Sequence, residues 1–189
     1  MAKGRLVVVS GPSGAGKTSV MQRVFQICRM PLVHSVSATT RPPRNGEIDG
    51  VHYHFLSDED FLSRQKRGDF LESFQVFNHG HWYGTLRSEV TTGLTAGKWV
   101  VLEIDVQGAR AVVEKFPDAV TIFLRPSTPE ELERRLRGRG TETEEAISRR
   151  LARANRELAL ADHYQHQVIN DNMDQAVQDI CDILTSQWE

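Results

Sequence analysis

The sequence predicts an α/β protein built on a parallel sheet, and three observations predict it. Continuous apolar runs alternate with helical patterns, as strands buried on both faces alternate with crossover helices. The runs are Leu6-Val7-Val8-Val9, Trp99-Val100-Val101-Leu102 and Ala119-Val120-Thr121-Ile122-Phe123-Leu124. The first run leads into a glycine-rich turn, Gly11-Pro12-Ser13-Gly14-Ala15-Gly16-Lys17-Thr18, with a helical pattern behind it. The second ends in acids, Glu103 and Asp105, where the carboxyl ends of parallel strands face a site. At 189 residues the chain is long enough for one domain with a sizeable core.

Taken in order, a strand over about 5–9 meets the turn, and a helix follows over about 17–28. Leu32-Val33 is a second apolar stretch, leading into Ser35-Val36-Ser37. Residues 35–85 break the rhythm with Thr39-Thr40-Arg41-Pro42-Pro43-Arg44 and the alternating segments His52-Tyr53-His54-Phe55 and Phe70-Leu71-Glu72-Ser73-Phe74. That pattern predicts a small mixed, mostly antiparallel insertion. A strand over about 99–104, a helix over about 107–115 and a strand over about 119–124 restore the alternation. Thr128-Pro129-Glu130-Glu131 joins a capping Thr, Pro at the first helical position and Glu at the third. Thr141-Glu142-Thr143-Glu144 is a second capping-box candidate. The helix it opens carries Ile147, Leu151, Ala154, Leu158 and Ala161 as a stripe, with Arg149, Arg150, Arg153 and Arg156 off it. Between these two helices, Gly138-Arg139-Gly140 reads as a hinge carrying a charge. Val168-Ile169 is a last short strand. A final helix over about 173–187 places Val177, Ile180, Cys181, Leu184 and Trp188 on one face.

Bulk properties narrow the function. A net charge of −2 argues against a general nucleic-acid binder. No apolar run approaches the roughly 20 residues of a membrane span. Met1-Ala2-Lys3-Gly4-Arg5 runs straight into a strand rather than a leader. Cys28 and Cys181 lie among apolar helical neighbours and read as buried free thiols of a reducing compartment. The expectation is a cytoplasmic protein with small-molecule partners, no nucleic acid and no membrane; monomer and homo-oligomer remain equally open. There are 18 arginines against 5 lysines, and nine of the arginines fall between Arg125 and Arg156. Such a bias suits planar, bidentate contact with phosphate.

The glycine-rich turn has a derivable chemistry. Small residues let the backbone curl so that successive N–H groups point at one anion, and the next helix adds the positive end of its dipole. Lys17 would reach the β- and γ-phosphates of a nucleoside triphosphate, and the Thr18 hydroxyl would bind Mg²⁺. The predicted fold class is therefore the three-layer P-loop NTPase fold.

The chain resembles the guanylate kinases along essentially its whole length. The resemblance rests on Ser10 to Thr18, Ser35-Val36-Ser37-Ala38-Thr39-Thr40-Arg41-Pro42-Pro43-Arg44 and Gly46-Glu47-Ile48-Asp49-Gly50-Val51-His52-Tyr53. It continues through Phe70-Leu71-Glu72, Tyr83-Gly84-Thr85, Glu103-Ile104-Asp105-Val106-Gln107-Gly108 and Gly138-Arg139-Gly140-Thr141-Glu142, in family order. It implies Mg²⁺-dependent transfer of phosphate from ATP to GMP, and to dGMP, giving ADP and GDP. It also implies a single domain over 1–189 in three parts. These are a core of about 1–34, 86–125 and 159–189, a GMP-binding subdomain of about 35–85 and a helical lid of about 126–158.

The site residues implied by the resemblance fall into groups. Gly11, Pro12, Ser13, Gly14, Ala15, Gly16, Lys17, Thr18 and Ser19 would bind ATP, with Asn170 on its adenine side. Arg41, Arg44, Tyr53 and Tyr83 would hold the GMP phosphate, two guanidiniums and two phenols suiting a dianion. Glu72 would accept from guanine N1–H and the 2-amino group; adenine offers a bare acceptor there, which a carboxylate repels. Ser37 and Thr85 would bind the O6 side of the base, Thr85 standing where the family often has Ser. Asp105 would lie near the metal and the acceptor phosphate, working through water. Glu103 would contact the base amino group or support its neighbours. Arg135, Arg139 and Arg150 would close on the transferring phosphoryl group. The segment Asn78-His79-Gly80-His81-Trp82 departs from the family pattern. Two competing readings are another kinase on this scaffold and a guanylate-kinase-like phosphopeptide-binding module; the intact Lys17 and Thr18 favour an enzyme.

Overall fold

The computed structural model describes residues 4–75, 80–138 and 143–188. Nine strands alternate with helices among them. The strands are β1 (Arg5–Ser10), β2 (Leu32–His34), β3 (Ser37–Thr39), β4 (His54–Phe55), β5 (Phe70–Gln75), β6 (Trp82–Leu86), β7 (Trp99–Glu103), β8 (Val120–Arg125) and β9 (His166–Ile169). The helices are α1 (Lys17–Ile27), α2 (Asp58–Arg67), α3 (Arg87–Thr95), α4 (Val106–Lys115), α5 (Pro129–Arg137), α6 (Glu144–Leu158) and α7 (Met173–Ser186). A five-stranded parallel sheet runs β2-β7-β1-β8-β9, and a four-stranded mixed sheet runs β4-β3-β6-β5. The predicted apolar runs are its central strands: Val7, Val8, Val9, Val100, Val101, Ile122, Phe123 and Leu124 are all fully buried.

Two compact units divide the chain. One comprises Met1–Val7, Pro31–Leu102 and Gln107–Ala119; the other comprises Val8–Met30, Glu103–Val106 and Val120–Glu189.

In the first unit β2 pairs in parallel with β7, Leu32 opposite Trp99. The mixed sheet is antiparallel across β3–β6 and β6–β5 and parallel across β3–β4. Its core joins Ala38, Phe61, Phe70 and Leu86, with Leu56 and Trp82 against them. Phe61 stacks on Phe70 at 4.4 Å between ring centroids. Phe61 comes from α2, an element the apolar pattern did not suggest, since Phe61 is its one buried residue. Polar signals make this helix instead. The Ser57 hydroxyl accepts from the Asp60 amide, three acids fill the first turn, and Gly68 closes the helix in the left-handed conformation at φ 77.

In the second unit β8 pairs in parallel with β9, Leu124 opposite Val168. The anticipated start of α5 holds, whereas α6 opens on Thr143 with Ala146, not the acid of a capping box, at its third position. Thr128 caps α5 by accepting from the Glu131 amide, and Thr143 caps α6 by accepting from the Ala146 amide. Leu132 and Leu136 of α5 meet Ala154, Leu151 and Leu158 of α6, so these residues of the expected stripe are a face that packs, while Ala161 lies beyond the helix in a short 3-10 turn. Cys28 is half-buried just beyond α1 and Cys181 is buried on α7; both are free. Burial, with the adjoining Cys28 thiol, pushes the Cys181 thiol up to about 12, so it stays protonated and inert at neutral pH.

Candidate active site

The phosphate loop of the second unit has the conformation its sequence requires. Gly11, Gly14 and Gly16 hold φ values of 147, 94 and 87. Gly16 stands at the N-terminus of α1 with no side chain capping it, and no acid occupies the first turn. The helix therefore begins with amide hydrogens open to an anion. Lys17 folds back over the loop, donating to the carbonyls of Gly11 at 2.6 Å and Pro12 at 3.2 Å. Ser19 and Thr18 are exposed in the first turn of the helix.

Charges gather around Lys17. Burial lowers its pKa, Arg153 lowers it further, and the carboxylates of Glu157, Glu103 and Asp105 oppose the shift. Arg153 ties two of these acids together. Its Nε donates to Glu157 Oε1 at 2.7 Å and its Nη2 to Asp105 Oδ2 at 3.2 Å. Three positions away on α6, Arg150 Nη2 donates to the Ser13 hydroxyl at 2.8 Å, so a guanidinium reaches the phosphate loop itself. Arg135 of α5 donates to Glu131 and to the backbone carbonyl of Asn170. The Asn170 side chain is buried and its amide donates to the Ala15 carbonyl at 2.8 Å. Arg139 lies outside the described residues.

The first unit carries a second polar face. On paired antiparallel strands, residues directly opposite one another share a face, as do residues two apart on one strand. Ser37 of β3 and Glu72 of β5 both stand opposite Thr85 of β6. The four residues Ser37, Glu72, Thr85 and Tyr83 therefore line one side of the mixed sheet. Thr85 is buried, and its hydroxyl donates to Glu72 Oε1 at 2.6 Å. Beside them the Tyr53 and Tyr83 rings meet edge to face at 6.0 Å, and the Arg41 guanidinium lies 5.5 Å over Tyr53. Arg41 forms a bidentate pair with Glu47, both contacts at 2.9 Å, and the Arg44 backbone amide donates to the same carboxylate at 2.6 Å. Arg41 holds the Glu47 carboxyl down at about 2. The Arg44 side chain is exposed.

A model of the guanylate kinase family matches residues 3–187. The chain belongs to the guanylate kinase family. It is 55% identical to a guanylate kinase of Rhodopirellula baltica over 97% of its own length and 88% of that protein. It is 46% identical to one from Thermotoga maritima over 98% and 88% of the two chains. Among solved structures, a guanylate kinase from Anaplasma phagocytophilum superposes with a TM-score of 0.82 at 29% identity, covering 100% of this chain and 88% of that one.

Against the guanylate kinase pattern, the structure brings Ser37, Glu72, Thr85 and Tyr83 onto one face and Lys17, Asp105, Glu103 and Arg150 around one loop. Three residues of these clusters were not singled out from the sequence. Glu47 lay within a quoted family segment without a role. Arg153 was noted only as lying off the apolar stripe of its helix. Glu157 carried no signal, because a carboxylate on the polar side of an amphipathic pattern reads as solvated; here it is buried.

Proposed function

We propose that this guanylate kinase transfers the γ-phosphoryl group of ATP to GMP, with Mg²⁺, and that the phosphate-loop and mixed-sheet residues described above carry out that transfer. The observation that carries the acceptor assignment is the Glu72 carboxylate, buried, oriented by the Thr85 hydroxyl and sharing its face with Ser37 and Tyr83. A carboxylate held this way accepts the paired N1–H and 2-amino donors of guanine and rejects adenine, which presents an acceptor at N1.

The reaction needs no covalent intermediate. An oxygen of the GMP phosphate bonds to the γ-phosphorus of ATP as the bond from that phosphorus to the β–γ bridging oxygen breaks, and ADP leaves with the electron pair. The backbone amides of Ser13, Gly14, Gly16, Lys17 and Thr18 would cradle the donor phosphates. Lys17 releases the loop carbonyls it now holds and neutralises charge on the β- and γ-phosphates. Arg41, already oriented by Glu47, receives the acceptor phosphate together with Arg44, Tyr53 and Tyr83. Arg135, Arg139 and Arg150 supply further cations for the transferring group. Asn170 acts on the ATP side by holding the Ala15 carbonyl. The Thr18 hydroxyl, exposed in the first turn of α1, would hold Mg²⁺ directly and Asp105 would hold it through water, hard oxygen donors of the kind that ion takes. Mg²⁺ held there would supply positive charge against the phosphate oxygens.

A coupled assay for ADP release tests the reading, with GMP, dGMP, AMP, CMP, UMP and ribose phosphates as acceptors. GMP and dGMP should be turned over, and AMP should be at least about 100-fold poorer in kcat/KM, the scale of a mispaired buried polar contact. Preference for any other acceptor would overturn the guanine assignment.

A further inference from the structure

The proposed phosphoryl transfer accounts for Lys17, Arg135 and Arg150 but leaves Arg153 and Glu157 of α6 without a task. Glu157 is buried, its side chain only 7% exposed, while Arg153 is 41% exposed. Burying a carboxylate is costly unless it is paired and hydrogen-bonded, and Arg153 Nε meets it at 2.7 Å. The guanidinium is thus fixed at its inner end. Its Nη2 reaches Asp105 at 3.2 Å, and among the described residues its Nη1 makes no hydrogen bond. A guanidinium has five N–H donors, so an exposed edge of Arg153 keeps unused donors beside Asp105 and close enough to Lys17 to shift it. Charge points the same way. Glu103, Asp105 and Glu157 bring three negative charges to the surroundings of Lys17, against two positive charges from Lys17 and Arg153. A site that must receive a polyphosphate cannot lose either cation without turning more strongly negative.

We propose that Arg153 is a further cation for the phosphoryl group in transfer, and that Glu157 is the positioning residue that aims it. The proposal rests on the phosphoryl-transfer reading above. Glu157 clamps the Nε side of the guanidinium, so the planar fork cannot rotate away, and the free Nη donors meet equatorial oxygens as charge spreads onto them. The alternative is that Arg153 serves only as the counter-ion that lets Glu157 be buried.

A double-substitution cycle separates the two. Arg153→Ala leaves Glu157 buried and unpaired, so it should lower both the melting temperature and kcat. Combining Arg153→Ala with Glu157→Gln removes the stranded charge and should restore most of the lost melting temperature. Turnover should stay about 100-fold low, the scale of one lost transition-state donor. Affinity for a non-hydrolysable ATP analogue, measured by calorimetry without GMP, and KM for GMP should remain within about threefold, because the contact forms mainly in the transition state. Wild-type kcat in the double variant would overturn the proposal and leave Arg153 a counter-ion. If the double variant does not fold, Arg153→Gln decides: it keeps a hydrogen bond to Glu157 but no charge. It should lose turnover on the same scale, with partial rescue in Arg153→Lys, and near-normal turnover in Arg153→Gln would overturn the proposal. Wild-type turnover of ATP and GMP, measured in the same experiment, tests the underlying reading separately.

Discussion

At the scale of single residues, the proposed chemistry depends on side chains that hydrogen bonds hold in one orientation. Glu72 shows this. Thr85 donates to one carboxylate oxygen at 2.6 Å, which fixes how the group would meet the base in the proposed site. Glu72→Gln replaces an acceptor by an amide that must present NH₂ either to Thr85 or to guanine. It should cost GMP about 1–3 kcal/mol in transition-state stabilisation, the penalty of a mispaired buried polar group. It should cost AMP less, because the repelling carboxylate is gone. The measurement is kcat/KM for both nucleotides in both proteins. A GMP/AMP ratio unchanged by the substitution would remove Glu72 from base recognition. Arg41 follows the same logic with a different partner: Glu47 grips both terminal nitrogens, and Tyr53 and Phe55 lie beneath the guanidinium at 5.5 and 5.8 Å.

At the scale of elements, the start of α1 is where backbone geometry becomes a binding site. Gly16 sits in the left-handed region at φ 87, and a Cβ placed there would lie 2.6 Å from Asn170 Nδ2. Gly16→Ala would impose about 1–2 kcal/mol of backbone strain and push Asn170 off the Ala15 carbonyl. The expected result is a lower melting temperature and weaker binding of an ATP analogue, with GMP affinity unchanged in calorimetry. Equal loss of both affinities would contradict the assignment of this loop to the ATP side. The helices α2 and α3 illustrate what local sequence shows and hides. Start and stop signals for α2 are present at Ser57 and Gly68, but one buried aromatic is too little for a helical period. In α3 the N-cap is Leu86, with no side-chain cap, and the buried residues are only Val90 and Gly93. Neither pattern nor capping marks it.

At the scale of the whole molecule, the two polar clusters belong to different compact units, so each nucleotide should leave its own signature. A ligand at 100 times its Kd stabilises the state that binds it by about 2.7 kcal/mol. Hydrogen exchange with GMP alone should slow amides of β3, β5 and β6. An ATP analogue alone should slow the amides of 11–20 and the middle of α6, where Arg150 and Arg153 contact Ser13 and Asp105. GMP protecting the phosphate loop ahead of the mixed sheet would reverse the proposed division of substrates.

The sequence by itself determined what depends on neighbours along the chain. Apolar runs long enough to be buried on both faces set the parallel sheet. A spacing of eight residues, Gly11 to Thr18, specified a phosphate loop, because consecutive amides converge on an anion through backbone torsions alone. Thr128 and Thr143 announced their helices because a cap acts within three residues. Tertiary structure decided which charges meet. Arg150 reaches Ser13 across 137 positions and Arg153 reaches Asp105 across 48, and no periodicity encodes either pairing. Arg149, Arg150, Arg153 and Arg156 read alike on a helical wheel; only two of them are carried onto the loop and the strand end. Burial of Glu157 is offset by its bond to Arg153 and by the nearby Lys17, and that balance exists nowhere but in the folded chain.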